Sequence, residues 1–405
     1  MSNSKLTSVE KMKFYNRIRF KIAFGFLIVT LIPATIIGFY ADHVSTATLL
    51  TQEYNNQKDL ISSLDNSIKS FLGSTEDDVL FLSQSHPMQR YLSEKSNDSY
   101  NDDIEQLKKN IAQEFLAFSK QRKIYYQIRY LDENGQEIVR IDSNKRNSHI
   151  VRSRKLQNKG DRGYFKKSVD IALGDVFVSR LDLNREHGKV EMPHKPVIRY
   201  ATPVQYTSGL NQGKSAGIII TNVAASVFLN QIEDTALVDS NGFYMTGVKQ
   251  DKLWGSNQDL NSNENFISDH KEISERIFGV QSGQFNDKDS AYIFTRVNVP
   301  GASYNWYLIA QKPMGTILAS VKDFRITFLS ILTASIFIAL LIAWIVDSRI
   351  TRPIEDLTDM ADKVSKGQLM IKVDVSDKGE IGELAHAFER MRVSMVKAFE
   401  RMKKR

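Results

Sequence analysis

The chain has 405 residues, 25% of them charged, a formal charge of +7 and no cysteine. That length has room for two or three domains, and the lack of cysteine excludes a disulfide framework while agreeing with export to an oxidising compartment. Nucleic-acid binding is set aside because the excess charge lies beside two apolar stretches: residues 1–21 carry six Lys/Arg against Glu10, residues 347–405 carry 13 basic against 11 acidic residues, and residues 42–325 hold 35 of each sign.

The apolar stretches, Ile22–Ala41 and Ile326–Val346, carry no charge. At about 1.5 Å per residue, each can cross a hydrocarbon core about 30 Å thick. The positive-inside bias then predicts a cytoplasmic N-terminus, an exported middle and a cytoplasmic C-terminus. Ile22–Ala41 is expected to stay as a signal anchor, since its run is long for a leader and Ala41-Asp42-His43 is a poor cleavage site.

Residues 45–118 are expected to be mostly helical. Leu49, Leu50, Tyr54, Leu60, Ile61, Leu64, Ile68, Phe71 and Leu72 recur at steps of three and four, and a further helix covers Ile104–Lys120. Ser96-Asn97-Asp98-Ser99 and Asn101-Asp102 predict a polar loop between them. From Ile124 the period becomes two. Ile124–Leu131, Glu137–Ile141, Val176–Leu181, Val197–Val204 and Ala216–Thr221 predict one set of strands. Thr235–Val238, Phe243–Thr246, Gly283–Phe285, Ala291–Val297 and Tyr304–Gln311 predict a second. Leu131-Asp132-Glu133-Asn134-Gly135 returns 107 residues later as Val238-Asp239-Ser240-Asn241-Gly242, each at the first hairpin of its set. The repeat predicts two tandem α/β modules.

A long helix from the membrane, followed by two antiparallel-sheet modules that open on [Leu/Val]-Asp-x-Asn-Gly, resembles the double Cache sensor domains of bacterial receptors. The stretch from Leu181 to Pro193, leading to Arg199-Tyr200-Ala201-Thr202-Pro203-Val204, is similar to the subgroup on sensor kinases and diguanylate cyclases. The resemblance implies an α+β fold: a long N-terminal helix and two PAS-like modules, distal at about 120–228 and proximal at about 229–315, within an extracytoplasmic domain over 42–325.

The resemblance also places the ligand in the distal module. Asp161-Arg162-Gly163-Tyr164-Phe165 is similar to the segment with which amino-acid-binding members hold a carboxylate. It implies an Arg162 fork on the ligand and Tyr164 as a pocket wall. Where those members carry an aspartate for the ligand's ammonium, this chain has the neutral Asn222, which favours a carboxylate or another small polar ligand over an α-amino acid. Arg129, Arg140, Arg199 and Tyr200 are further candidates because alternate strand side chains share a face, and Asp182 joins them from the preceding loop. Asp182-x-Asn184-x-Glu186-x-Gly188 departs from a calcium loop in its glycine and in Pro193, and Glu186, His187, Glu191 and His194 lack a zinc-site spacing. No metal or cofactor is expected. With neither a Gly-x-Ser-x-Gly elbow nor a His-Glu-x-x-His helix, no enzymatic activity is expected either.

Residues 347–405 predict two amphipathic helices around an extended connector. Ile350, Ile354, Leu357, Met360 and Val364 form the first stripe, with Pro353 at the helix start and Gly367 at its end. Leu369, Ile371, Val373 and Val375 alternate. Ile381, Leu384, Phe388, Met391, Met395, Phe399 and Met402 make a heptad seam on the second helix. With Glu380-Ile381-Gly382-Glu383-Leu384, these features resemble a HAMP linker, a relay whose helices pack as a dimeric bundle. His386 is expected to be an exposed bundle residue. The expectation is an inner-membrane homodimeric receptor that binds a small molecule outside and relays through Ile326–Val346 and Pro353, Gly367, Glu380, Ile381, Leu384 and Phe388 to an unidentified cytoplasmic effector. The alternatives are the sensory part of a longer histidine kinase, diguanylate cyclase or chemoreceptor, or a standalone membrane regulator docking a separate protein.

Overall fold

The computed structural model of the chain describes residues 18–96, 101–144, 147–186, 188–372 and 379–403. It divides into two compact units, Leu50–Ile317 and the segments on either side of it. The helices are α1 (Ile18–Ser83), α2 (His86–Ser96) and α3 (Asn101–Arg122), so Ser96, Asn101 and Asp102 extend helices instead of forming the expected loop, whose residues 97–99 lie outside the described residues. Ile61, Leu64, Ile68, Leu72, Val79 and Leu82 of α1 are buried along one stripe. Met88, Tyr91 and Leu92 of α2 and Ile104, Leu107, Ile111 and Phe115 of α3 close over them. Burying each such large apolar side chain contributes about 1.5–3 kcal/mol.

The first sheet contains β1 (Tyr125–Leu131), β2 (Glu137–Ser143), β3 (Ser148–Ile150), β4 (Phe177–Val178), β5 (Asp182–Leu183), β8 (Pro196–Gln205) and β9 (Ser215–Ala224). Its order is β3-β2-β1-β9-β8-β4, with β5 also on β8. The helix α4 (Gly163–Val169) and the small hairpin of β6 (Arg185–Glu186) and β7 (Lys189–Val190) come from its connections. Ile128 and Tyr130 of β1, Ile198 and Tyr200 of β8, and Ile219 and Val223 of β9 enter the core with the helices. Leu131, Ala201, Ile218 and Ile220 face the other way, against Phe165 of α4.

After α5 (Ser226–Leu229), the second sheet runs β11-β10-β14-β13-β12, from β10 (Thr235–Asp239), β11 (Tyr244–Thr246), β12 (Ser282–Asn286), β13 (Ser290–Asn298) and β14 (Asn305–Pro313). The helices α6 (Phe266–Asp269) and α7 (Lys271–Ile277) sit between β11 and β12, and α8 (Met314–Ile317) follows β14. Leu237, Val297, Trp306 and Leu308 complete the helical core that the first sheet uses. The two modules repeat in detail. Asp132 Oδ1 accepts from the Asn134 and Gln136 amides at 3.0 and 2.8 Å, and Asp239 Oδ1 from the Asn241 and Phe243 amides at 2.9 Å each. The isolated bridge Gln136–Asn158 recurs as Phe243–Asn265, again 107 residues on.

The remaining unit holds the first part of α1, α9 (Ala319–Val346), a π turn (Asp347–Thr351), α10 (Arg352–Ser365) and α11 (Glu380–Lys403). Both α1 and α9 are long and apolar enough to cross a membrane, and Val29, Ile36, Phe39, Phe337 and Trp344 are exposed on them. Phe328 packs on Gly38, where a Cβ would lie 2.3 Å from the ring. Arg325 of α9 grips Asp42 of α1 with a guanidinium fork at 2.5 and 3.0 Å. Arg19 of α1 reaches Glu355 at 2.6 Å and Asp347 at 3.1 Å. Gly367, at φ +86°, ends α10: its amide and that of Gln368 cap the carbonyls of Val364 and Lys363. Val373 and Val375 of the connector lie outside the described residues.

One backbone contact fixes β9 against β1. Gly217 has φ +106°, and a Cβ there would lie 2.0 Å from the Leu131 carbonyl oxygen. Gly217→Ala is expected to destabilise the protein by about 2–4 kcal/mol in urea unfolding; an unchanged midpoint would contradict this packing.

Candidate ligand-binding site

The face of the first sheet turned away from α1–α3 carries a buried polar network. Arg129, 3% exposed, donates to Asn222 Oδ1 at 2.8 Å and more distantly to Glu137 and the Tyr164 hydroxyl, both at 3.4 Å. Asn222 donates to Gln127 at 3.1 Å, and Gln127 to Glu186 at 3.0 Å. Arg140 forks onto Asp142 at 2.7 and 3.0 Å and also reaches Glu186 at 3.4 Å. Arg199 donates to Asp182 at 2.8 Å. The guanidinium groups of Arg129 and Arg199 stand 5.7 and 5.8 Å from the Tyr164 ring centre, one aromatic serving two cations. Strand alternation on β1, β8 and β9 delivers this set to one face, and α4 brings Tyr164 over it.

The structure thus brings together Arg129, Tyr164, Asp182, Arg199 and Asn222. Two expected residues stand elsewhere. Arg162 caps α4 through its backbone and its side chain is exposed. Tyr200 is fully buried in the helix-side core, because the residue next to Arg199 on a strand must face the opposite side. Four members were not singled out for this role in the sequence: Gln127, Glu137, Lys159 and Glu186. Glu137 is a carboxylate at the head of the strand expected over Glu137–Ile141, whereas Lys159 comes from a loop and Glu186 from the two-residue strand β6, neither of which shows a period.

Beside this network lies a cavity of about 750 Å³, lined by Gln127, Arg140, Asp142, Arg154, Lys155, Gln157, Glu186, Glu191 and Lys195 among others. Its acids are already satisfied: Asp142 by Arg140, Glu186 by Gln127 and Arg140, and Glu191 by Lys195 and Asn184. Arg154 and Lys155 have no side-chain partner among the described residues. The lining therefore offers unpaired cations to an incoming anion. Lys159 is buried, and among the described residues its ammonium bonds only the Gln157 side-chain oxygen, at 2.8 Å. Burial, helped by Arg129, moves its ammonium below the ordinary lysine range. Among the described residues, no group of three His, Cys, Asp or Glu side chains is placed to hold a metal ion, and His187 lies outside them.

The charges leave a signature in pH. Burial pushes Glu186 up, but Arg140, the Gln127 amide, Lys159 and Arg129 outweigh it and hold the carboxyl below its ordinary range. Burial raises Asp182 in spite of Arg199.

Two tandem antiparallel modules on a long helix, with a polar pocket in the first and a two-helix coupling segment at the end of the chain, define a sensor of the bacterial receptor class. The chain belongs to the family of bacterial histidine kinase sensor domains: the family model "Bacterial histidine kinase, sensor domain" matches residues 81–309, and the HAMP domain model matches residues 348–397. It is 41% identical over 78 residues to sensor protein SrrB of Staphylococcus aureus, a match covering 18% of this chain and 13% of that relative. Its fold is that of the extracellular domain of the candidate histidine kinase vpHK1S-Z8, at 19% identity and TM-score 0.58, covering 68% of this chain and 96% of the other. A domain of a candidate sensory box/GGDEF family protein from Vibrio parahaemolyticus is similar at 19% identity and TM-score 0.56, with 67% and 99% covered.

Because the folded Glu186 carboxyl titrates below its unfolded value of about 4.3, its stabilisation is present above that pH and is lost as the pH falls through the depressed value. Glu186→Gln is expected to cost about 1–2 kcal/mol at pH 7, and the gap in melting temperature from wild type is expected to close in acid. A gap that stays constant with pH would exclude an ionised Glu186.

Proposed function

We propose that the chain is the sensing and coupling part of a homodimeric inner-membrane receptor, which binds a small carboxylate-bearing molecule in the distal module and feeds a cytoplasmic output of the histidine kinase class. The observation that carries the ligand class is the cavity whose acids are all internally paired while Arg154 and Lys155 are not. A carboxylate satisfies a guanidinium fork in bidentate fashion, and the paired arginines behind it stay in place as a rigid floor. The proposed layout runs from a cytoplasmic segment 1–21 through a span at 22–41, an exported sensor at 42–325 and a second span at 326–346 to the HAMP segment at 347–405. The excess of Lys/Arg outside the two spans supports that orientation. Similarity to SrrB supports the output class, whether the kinase belongs to the same polypeptide or to a docked partner.

In this reading the ligand favours one arrangement of the distal module, and the difference in affinity between two states is what the relay transmits. Dimerisation is supported by the seam of α11: Leu384, Met391, Met395, Phe399 and Met402 are exposed on a single chain, and burying such a stripe against a second copy is what a heptad pattern does.

Two measurements test this. A screen of carboxylates against the full chain in detergent is expected to find a stabiliser, worth about 2.7 kcal/mol at a hundredfold excess over its dissociation constant. Arg154→Ala combined with Lys155→Ala removes the shift and Arg162→Ala leaves it; a stabiliser indifferent to the double change places the site elsewhere. Since the chain has no cysteine, Leu384→Cys is expected to give a covalent dimer on mild oxidation in membranes. A monomer throughout would count against the homodimer.

A further inference from the structure

The second sheet bears a cavity of about 400 Å³ at the place that the polar network occupies on the first. Strand register allows the two to be compared residue by residue. In the distal module Asn222 pairs with Arg199 of β8 and Gln127 of β1. In the proximal module Gln311 of β14 pairs with Tyr292 of β13 and lines the cavity with Asp234, the residue before β10. Phe266 stands 107 residues after Lys159, next to the matched bridge residues Asn158 and Asn265. Where the first module sets an arginine, an amide and a lysine, the second sets a tyrosine, a carboxylate and a phenylalanine.

We propose that the proximal module holds a second ligand site, for a small organic cation, formed by Asp234 and the rings of Tyr244, Phe266 and His270. The negative faces of aromatic rings attract a cation, most strongly where water is excluded. Phe266 and His270 lie 4.8 Å apart between ring centres, and Tyr244 meets Phe266 edge-on at 6.2 Å. Burial keeps His270 below the ordinary imidazole range, so at neutral pH it adds an uncharged ring. Asp234 has no hydrogen bond or ion pair from its side chain among the described residues, and its backbone is held at φ +52° beside the cavity. Lys312, on the same lining, is neutralised by Glu53 of α1 at 3.0 Å. An occupant of this site touches α1, β14 and Thr316 of α8, the turn that leads into α9. It therefore has a route to the second apolar helix that does not pass through the distal module.

Titration calorimetry of the full 405-residue chain in lipid nanodiscs, with choline and its uncharged isostere 3,3-dimethylbutan-1-ol, tests the site. Choline is expected to bind and the isostere to bind about tenfold more weakly or worse. Asp234→Asn is expected to weaken choline by about tenfold, and Thr316→Trp, at an exposed position facing the cavity, to block it. Arg199→Ala in the distal network leaves choline binding unchanged. Absence of choline binding at millimolar concentration, equal affinity for the isostere, or loss on Arg199→Ala with Asp234→Asn silent would each overturn the proposal.

Discussion

Along β9, Ile219 and Val223 enter the helical core while Ile218, Ile220 and Asn222 face away from it. That alternation is the constraint on which the sensor unit rests. The helices α1–α3 take one face of both sheets into a shared apolar core, and the opposite face carries a buried polar network beside Phe165 in the first module and an apolar cluster around Val238, Phe266, Phe294 and Ile309 in the second. A shift of one residue in the pairing of β9 would send Asn222 into the core and Ile219 into the polar network. Gly217, held against the Leu131 carbonyl, is one of the contacts that prevent such a slip.

The buried charges follow from this arrangement. Arginines brought under α4 must be matched, since an unpaired ion in a low-dielectric site costs several kcal/mol. Glu137, Asp142, Asp182 and Glu186 supply that match. Their presence changes the role of the strand arginines, which form a fixed floor, and moves the free positive charge to Arg154 and Lys155 in the preceding loop. In the second module the positions that match Arg199, Gln127 and Lys159 carry Tyr292, Asp234 and Phe266. A common backbone thus presents two different electrostatic surfaces.

How far this could be read beforehand depended on the distance over which the signal acts. Apolar steps along α1 and α3, alternation on β8, β9 and β13, and the Asp-x-Asn-Gly turns are local, and each corresponds to an observed element. The seam of α11 is equally local. The strand expected over Val176–Leu181 is reduced to the two residues of β4, and β5 to β7 have two residues each, too few for a period to show. Arg162 belongs to a short motif, but the start of α4 turns its side chain to solvent. Tyr200 neighbours Arg199 in sequence, but adjacent strand residues face opposite ways and Tyr200 enters the helical core. Glu186 joins the site through Gln127 and Arg140 on the sheet, partners more than 40 residues away that no window of sequence contains together with it, and Arg154 reaches the cavity only through the course of its loop.

The π turn Asp347–Thr351 joins α9 to α10 without a break in the helical path. An α-helix advances about 100° per residue, and a π turn accommodates one residue more than an α turn. Tightening it to α geometry would therefore rotate the α10 stripe by about 100° about its own axis relative to α9, with little change in length. The junction sets the phase between α9 and the α10 stripe, so a movement of α9 reaches α10 as an angle as well as a displacement.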